Sequence, residues 1–364
     1  MKDRIDSKAL NISVGLRTSN NSARRQRSLD SDELHFFSMS PFKRDARAIM
    51  ESKAFRRLAF KTQVVTNSWN GLVRNRNSHT MEVVSIATQI AEILGLNVDL
   101  AEAIALGHDI GHTPFGHAGE RFLNRKLVEE GRKRGESEGE QFFAHNIFSV
   151  IVAQKIERRG HGLNLCHQTF KGMEQHSSGS GKVALKEDMS EEGAIAMYAD
   201  KFGYITADYG DMCRLGLTDR FFKTDICDVR EEMQKLGKNQ RERVSYLIAS
   251  LCNETADSRR GGVVFEHSPS AKHFNMIKKA MYQLYPKINS DGSQIEEALD
   301  RIYEFVGKSL DVHPAVFIAM MTDGEVSMLA NKKLWDITDL QRTSVWEQLD
   351  FLLNINPCQL DLNW

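Results

Sequence analysis

Residues 103–120 read A-I-A-L-G-H-D-I-G-H-T-P-F-G-H-A-G-E. An apolar run leads straight into three histidines, an aspartate and a glutamate. Burying an uncompensated carboxylate costs several kcal/mol. A His-Asp pair at the end of an apolar helix therefore needs a partner, and a cation is the simplest. Adjacent helical residues point about 100° apart, so an ion beside the helix can be reached by both His108 and Asp109. Imidazole plus carboxylate suits Mn, Fe, Co, Ni, Zn or, less well, Mg. Two neighbouring ligands hold an ion weakly, so other helices must add more. His79, opening its helix, and Asp200, in the acidic face of Y-A-D-K-F-G-Y, are the candidates. Two His and two Asp leave positions open for water and substrate.

Around this stretch the pattern is helical. Val83, Ile86, Ala87, Ile90 and Leu94 recur at helical spacing, and Gly95 is the expected stop. The next helix starts from Asn97 or Asp99 as cap and runs to the His-Asp pair. Pro41 fits a first-turn position for a helix reading on through S-K-A-F-R-R-L. Residues 66–77 are expected to be a loop, as is G-H-T-P-F-G-H-A-G-E on its way into the following helix. Residues 129–140 read as a charged, solvated insertion, and H-S-S-G-S-G-K and D-S-R-R-G-G as further loops. F-F-A-H-N-I-F-S-V-I-V-A-Q-K-I returns to helix, and a long helix with acids on an apolar face is expected from Glu191 to Met212. No repeat and no sustained strand alternation is present. The class is all-α, divided into an irregular N-terminal arm over 1–40, ordered only if it packs, a core over 41–215 and a helical C-terminal region over 216–364 packed on the core.

Composition narrows the partners. The 364 residues carry a net charge of -1, from 48 Lys+Arg against 49 Asp+Glu, so whole-chain charge supplies no case for nucleic acid. The basic string R-R-Q-R near residue 25 reads as a solvated arm. Five cysteines, an odd number without C-x-x-C spacing, argue against a disulfide framework or a Cys-type zinc site and point to a reducing cytoplasm. No apolar run approaches the ~18 residues that span a bilayer, and the N-terminus lacks a signal-peptide core.

The order R-x-x-H, then H-D, then a later D resembles the HD-domain metal hydrolases. The run G-H-D-I-G-H-T-P-F-G-H-A-G-E resembles the signature of their deoxyguanosine triphosphate triphosphohydrolase (dGTPase-like) branch. S-K-A-F-R-R-L-A-F-K-T-Q-V, F-F-A-H-N, G-L-N-L-C-H-Q-T-F-K-G-M-E-Q-H-S and D-K-F-G-Y-I-T-A-D are similar to further family segments. The resemblance covers about 41–215 and, more weakly, the chain to about 290.

The resemblance implies an HD-domain fold with His79, His108, Asp109 and Asp200 as ligands of a divalent ion: Mn, Mg, Co, Fe or Ni. It makes His117 and Glu120 the catalytic pair beside the α-phosphate, and Arg76 and Lys201 phosphate contacts. Gln63, Tyr204 and Asp208 would hold the nucleoside, the last two near the sugar 3′-OH, and His112 and His145 would line the pocket. His176 matches a K-H position without an assigned role. The implied reaction splits a deoxynucleoside triphosphate (dNTP) into deoxynucleoside and inorganic triphosphate. A homo-oligomer, such as a hexamer, and a second dNTP acting as effector are implied too. Phe202 and Gly203 stand where the family usually has other residues, an exchange expected to alter the sugar or base pocket. The rival readings are another HD phosphohydrolase (a nucleotidase or phosphodiesterase) and a non-catalytic nucleotide or single-stranded-DNA sensor.

Overall fold

A computed structural model describes residues 17–29, 39–65, 70–135, 142–177, 185–186, 188–217, 219–258, 261–288, 292–332 and 335–363. Among them every regular element is a helix, and β pairing is confined to isolated bridges such as Arg25–Cys166.

Helix α1 (Pro41–Glu51) starts where Ser40 Oγ accepts from the Lys43 amide and Pro41 supplies the first turn. The continuous helical pattern breaks at Ser52, whose hydroxyl caps a separate α2 (Lys53–Arg57). The buried Glu157 carboxylate takes the Lys53 and Ala54 amides at 3.1 and 2.8 Å, which holds the break. Helix α3 (Arg76–Leu94) begins with a reciprocal Asn75–Ser78 capping box and ends at left-handed Gly95. Arg76 is thus helical, not part of the expected loop. Asn97 caps α4 (Val98–Gly107), which ends at His108.

Helix α5 (His117–Arg134) runs through half of the expected charged insertion. Leu127 and Gly131 are buried, and Arg132, Lys133 and Arg134 sit where the helix dipole favours cations; residues 136–141 lie outside the described set. Then come α6 (His145–Ile151), a π-helical turn over Val152–Ile156, and α7 (His167–Gln175). The H-S-S-G-S-G-K loop lies mostly outside the described residues. Helix α8 (Glu191–Arg214) is the long acid-bearing helix.

The C-terminal part contributes α9 (Val229–Leu236), α10 (Gln240–Asp257), α11 (Pro269–Ile288), α12 (Gly292–Ser309), α13 (Pro314–Met320), α14 (Asp323–Ala330) and the short α15 (Ile337–Leu340). One apolar core joins α3, α4 and α8 to α9, α10 and α11. Another joins α1, α5 and α6 to α12, α13 and α14. Phe202 lies wholly inside the first core, its ring 5.0–5.1 Å from those of Phe265 and Phe274. It therefore shapes packing and not the sugar or base pocket.

Residues 17–29 of the N-terminal arm pack across this assembly. Arg25 reaches the buried Asp45 carboxylate at 2.7 Å and donates to the Asn164 and Pro41 carbonyls. Thr18 and the Asn97 amide share the Glu192 carboxylate.

Candidate active site and metal centre

The turn between α4 and α5 brings the site together. Gly111, in the middle of H-D-I-G-H, lies so close to α6 that an added Cβ would come within 2.2 Å of the Ser149 amide nitrogen. The Gly111 amide donates to Ser149 Oγ, and that hydroxyl donates to the His108 carbonyl. Only a glycine lets the His-Asp turn lie flat on the helix that carries His145.

His79 enters from the first turn of α3 and Asp200 from the middle of α8. His79 Nε2 lies 3.1 Å from Asp200 Oδ1, and His108 Nε2 lies 3.9 Å from the same oxygen. The three donor atoms lie within 4.8 Å of one another. His108 Nδ1 donates to the Ala105 carbonyl at 2.7 Å, so Nε2 of a neutral ring is an acceptor. It is buried without a hydrogen-bond partner and also faces Asp109 Oδ2 at 3.5 Å. That nitrogen, set between two carboxylates, calls for positive charge: a proton in the ion-free chain, or a metal ion that displaces it. Burial would depress His108, yet the Asp109 and Asp200 carboxylates lift it to about 9. The orphaned nitrogen and the His-His-Asp donor set fit a divalent first-row ion.

Asp109 is placed differently from the other three expected ligands. Arg76 Nη1 takes its Oδ2 at 2.5 Å, with both side chains buried, and its Oδ1 lies 3.8 Å from His145 Nε2. Burial works against its charge, but His108 and Arg76 together hold its carboxyl well below the usual range.

Glu120 organises the adjoining group. Its Oε2 lies 2.9 Å from His117 Nδ1, and its Oε1 accepts from both the His145 amide and His145 Nδ1, at 2.9 and 2.8 Å. His117 stays more than half exposed with its Nε2 away from the carboxylate. His112 is fully buried, stacked on His145 with ring centres 4.5 Å apart, and neither ring nitrogen has a partner. Burial, then Arg76 and His145, push it well below the usual histidine value, so it stays neutral.

Lys201, Tyr204 and Asp208 follow Asp200 along α8. Lys201 Nζ lies 3.8 Å from Asp200 Oδ2. Tyr204 Oη is hydrogen-bonded to Tyr282 Oη at 2.8 Å, and Tyr285 Oη donates to Asp208 Oδ2 at 2.9 Å. Burial raises Asp208 well above the carboxylate range. Gln63 lines a narrow cleft with Asp208, Arg74 and Asp211. Gly203 borders His79 at ordinary contact distance. The expected residues thus form a chain of neighbours from the His79–His108–Asp200 group to the Gln63–Asp208 cleft. A separate cleft of about 380 Å³ near Glu51, Lys53, Arg158 and Arg159 contains none of them.

Sequence reasoning missed four neighbours. His176 Nε2 lies 3.3 Å from His145 Nε2; its K-H setting was the one available signal. Tyr282, Tyr285 and Lys278 come from α11 at helical spacing, which reads equally well as ordinary packing. Lys278 is buried, and burial plus the nearby Lys201 bring it down to about 8.

An all-helical chain with a His-Asp pair at a helix end, a histidine from an earlier helix and an aspartate from a later one is an HD-domain protein. The HD domain family matches residues 76–204. The chain belongs, within that class, to the deoxyguanosinetriphosphate triphosphohydrolase-like proteins, and is a phosphohydrolase of the HD superfamily. It is 41% identical to such a protein of Caldanaerobacter subterraneus subsp. tengcongensis over 289 residues, 77% of this chain and 76% of that one. It is 36% identical to one of Clostridium tetani over 257 residues, 71% of this chain and 68% of that one. With one of Desulfatibacillum aliphaticivorans it shares 32% over 281 residues, 74% of each chain. No described helix is long and apolar enough to cross a membrane.

Proposed function

We propose that this chain is a metal-dependent dNTP triphosphohydrolase that cleaves dGTP or a related dNTP into deoxynucleoside and inorganic triphosphate. The observation that carries this reading is the Glu120 carboxylate shared by His117 and His145, directly beside the His79–His108–Asp200 group. A proton-transfer histidine and a cation-binding donor set within one pocket suit phosphoryl chemistry. The names of the relatives support dGTP as substrate.

In this reading His79, His108, Asp109 and Asp200 hold the ion. When bound, such an ion supplies Lewis-acid polarisation of a phosphoryl oxygen. Water attacks the α-phosphorus, the bond from phosphorus to the 5′ oxygen breaks, and that oxygen must gain a proton. Glu120 holds His117 Nδ1 as a donor and favours the imidazolium form of the ring, whose Nε2–H delivers the proton to the departing 5′ oxygen and leaves a neutral ring. Neutral, buried His112 offers a ring N–H to the same phosphate, and His145 orients Glu120. Arg76, whose Nε has no partner, and Lys201 meet the triphosphate charge, with Lys278 adding a second ammonium. Tyr204 and Asp208 offer hydrogen-bonding groups to the sugar 3′-OH, and Gln63 contacts the nucleoside. The chain acts as a homo-oligomer with an effector dNTP.

The test is a product assay on all four dNTPs with Mn, Mg or Co, with and without mixed dNTPs as effectors. Triphosphate and deoxynucleoside in equal amounts support the reading. Orthophosphate, monophosphate or pyrophosphate would instead make the chain a different HD phosphohydrolase. Nucleotide binding without product would make it a sensor.

A further inference from the structure

The turn that delivers His117 is strained. Phe115, whose side chain is buried, holds a left-handed φ of 57°, and Gly116 follows at 58°. That backbone is unfavourable for a residue with a Cβ and persists only where its surroundings hold it. The Phe115 and Gly116 carbonyls accept from the Ala118 and Glu120 amides, each at 3.2 Å. The turn therefore sets the direction in which α5 starts, and the start of α5 carries both His117 and Glu120.

The groups that hold this turn come from elsewhere in the chain. Asp323, the first residue of α14, accepts from the Phe115 amide at 2.8 Å through Oδ1. Its Oδ2 accepts from the Thr62 amide at 2.8 Å and from the Thr62 hydroxyl. One carboxylate thus joins α14 to the strained turn and to the residue before Gln63. Lys61 adds a second tie, since its Nζ donates to the His112 carbonyl and, at 2.8 Å, to the Ala319 carbonyl in α13. Both Asp323 oxygens are taken up by backbone and hydroxyl donors, so whatever this residue does for the reaction it does through the turn.

We propose that Asp323 is a positioning residue for hydrolysis: it holds the Phe115–Gly116 turn in its left-handed form and so aims the His117–Glu120 pair at the departing oxygen. The α13–α14 corner of the C-terminal region then belongs to the catalytic apparatus, beyond its part in the core. The proposal rests on the proton-delivery role of His117 given above, and not on which nucleotide is cleaved. A carboxylate can accept from all of these donors at once. An amide of the same shape has one acceptor oxygen and turns an NH2 toward one of them, so Asp323→Asn breaks the clamp without opening a cavity.

The experiment uses the full-length chain with Mn and a dNTP that wild type cleaves. Steady-state kinetics are measured for wild type, Asp323→Asn, His117→Ala and the double variant, each checked by circular dichroism. Asp323→Asn should lower kcat by about 10²-fold, the scale of a ~1 Å misplacement of a catalytic group, with KM changed by no more than a few fold. In the His117→Ala background the same substitution should cost almost nothing further, because the two residues act as one unit. An equal loss in both backgrounds overturns the proposal and leaves Asp323 a structural residue. A raised KM with unchanged kcat also overturns it and moves the effect to Gln63. Histidine 13Cε1 resonances of the metal-free chain give a readout independent of turnover. The His117 resonance, identified by its absence from His117→Ala, should move in Asp323→Asn, while that of His273 on α11 stays; an unmoved His117 resonance overturns the proposal. Wild type inactive on every dNTP removes the function proposed above, and the resonance then decides the placement alone. Should Asp323→Asn lack the wild-type circular dichroism, Thr62→Val removes one donor from the same carboxylate and should give a smaller kcat loss that again vanishes without His117.

Discussion

Arg76 Nη1 contacts Asp109 Oδ2 at 2.5 Å, and both side chains are buried. This ion pair ties the first turn of α3 to the His-Asp turn after α4. It also answers the demand that a buried carboxylate makes at the end of an apolar helix. Removing one partner of a buried pair typically costs about 3–5 kcal/mol, because the other charge is left unpaired. Arg76→Ala should lower the stability of the metal-free chain by that order in urea unfolding. Added Mn should recover part of the loss, since the ion takes over neutralisation of the carboxylate. A change below about 1 kcal/mol in the metal-free chain would mean that Asp109 is compensated elsewhere.

His117 is held by Glu120 and is more than half exposed. His117→Ala should lower kcat by about 10²–10⁴, the usual span for a positioned general acid, with KM changed by no more than a few fold. Glu120→Gln should move kcat in the same direction, because the amide keeps one acceptor oxygen where the carboxylate offers one to His117 and one to His145, and it carries no charge to favour a protonated ring. Steady-state kinetics separate the outcomes: an unchanged kcat with a raised KM would make His117 a binding residue.

Asp200 is shared by His79 and His108. Asp200→Ala should abolish Mn-dependent turnover and weaken Mn binding at that position, while circular dichroism stays near wild type. Retention of more than a tenth of wild-type activity at saturating Mn would exclude Asp200 as a ligand.

Lys61 is buried and donates to the His112 and Ala319 carbonyls. Burial, with Arg57 adding to it, pushes its ammonium down from the usual 10.5 to about 7. Between those values the unfolded chain binds more protons than the folded one, so this group makes stability rise with pH across about 7 to 10.5. Below about pH 7 its full charging cost falls on the folded chain. The stability of wild type minus that of Lys61→Met, from urea titrations at pH 6.5, 8 and 9.5, should therefore increase with pH. A flat or falling difference would show that the ammonium is not desolvated.

Gly111→Ala should be poorly tolerated. Its new methyl meets backbone, not a flexible side chain, so the two elements must separate. The cost should reach or pass the top of the ~1–3 kcal/mol common for overpacking. Thermal unfolding within a degree of wild type would contradict the close approach.

Much of this molecule is legible locally. Ser40 and Pro41 at a helix start, Asn97 as a cap, Gly95 as a stop and the spacing of Val83, Ile86, Ala87 and Ile90 all act within one or two turns. The all-helical class follows from them. The break at Ser52 was not legible, because Glu157, about a hundred residues away, supplies the acceptor that holds it. Residues 129–134 read as solvent-exposed from their charge, but Leu127 and Gly131 are buried beside α12–α14 and draw the helix on.

The chain order alone marked the titratable residues that meet here, since few arrangements place so many beside an apolar run. Which of them touch was decided by the tertiary fold. Arg76 finds Asp109, Asp208 finds Tyr285, and Phe202 turns into the core. His176, one histidine among several in the sequence, ends beside His145. The reason is physical: caps and periodicity are set by bonds a few residues long, whereas buried charges and lone pairs are matched only when distant helices close on one another.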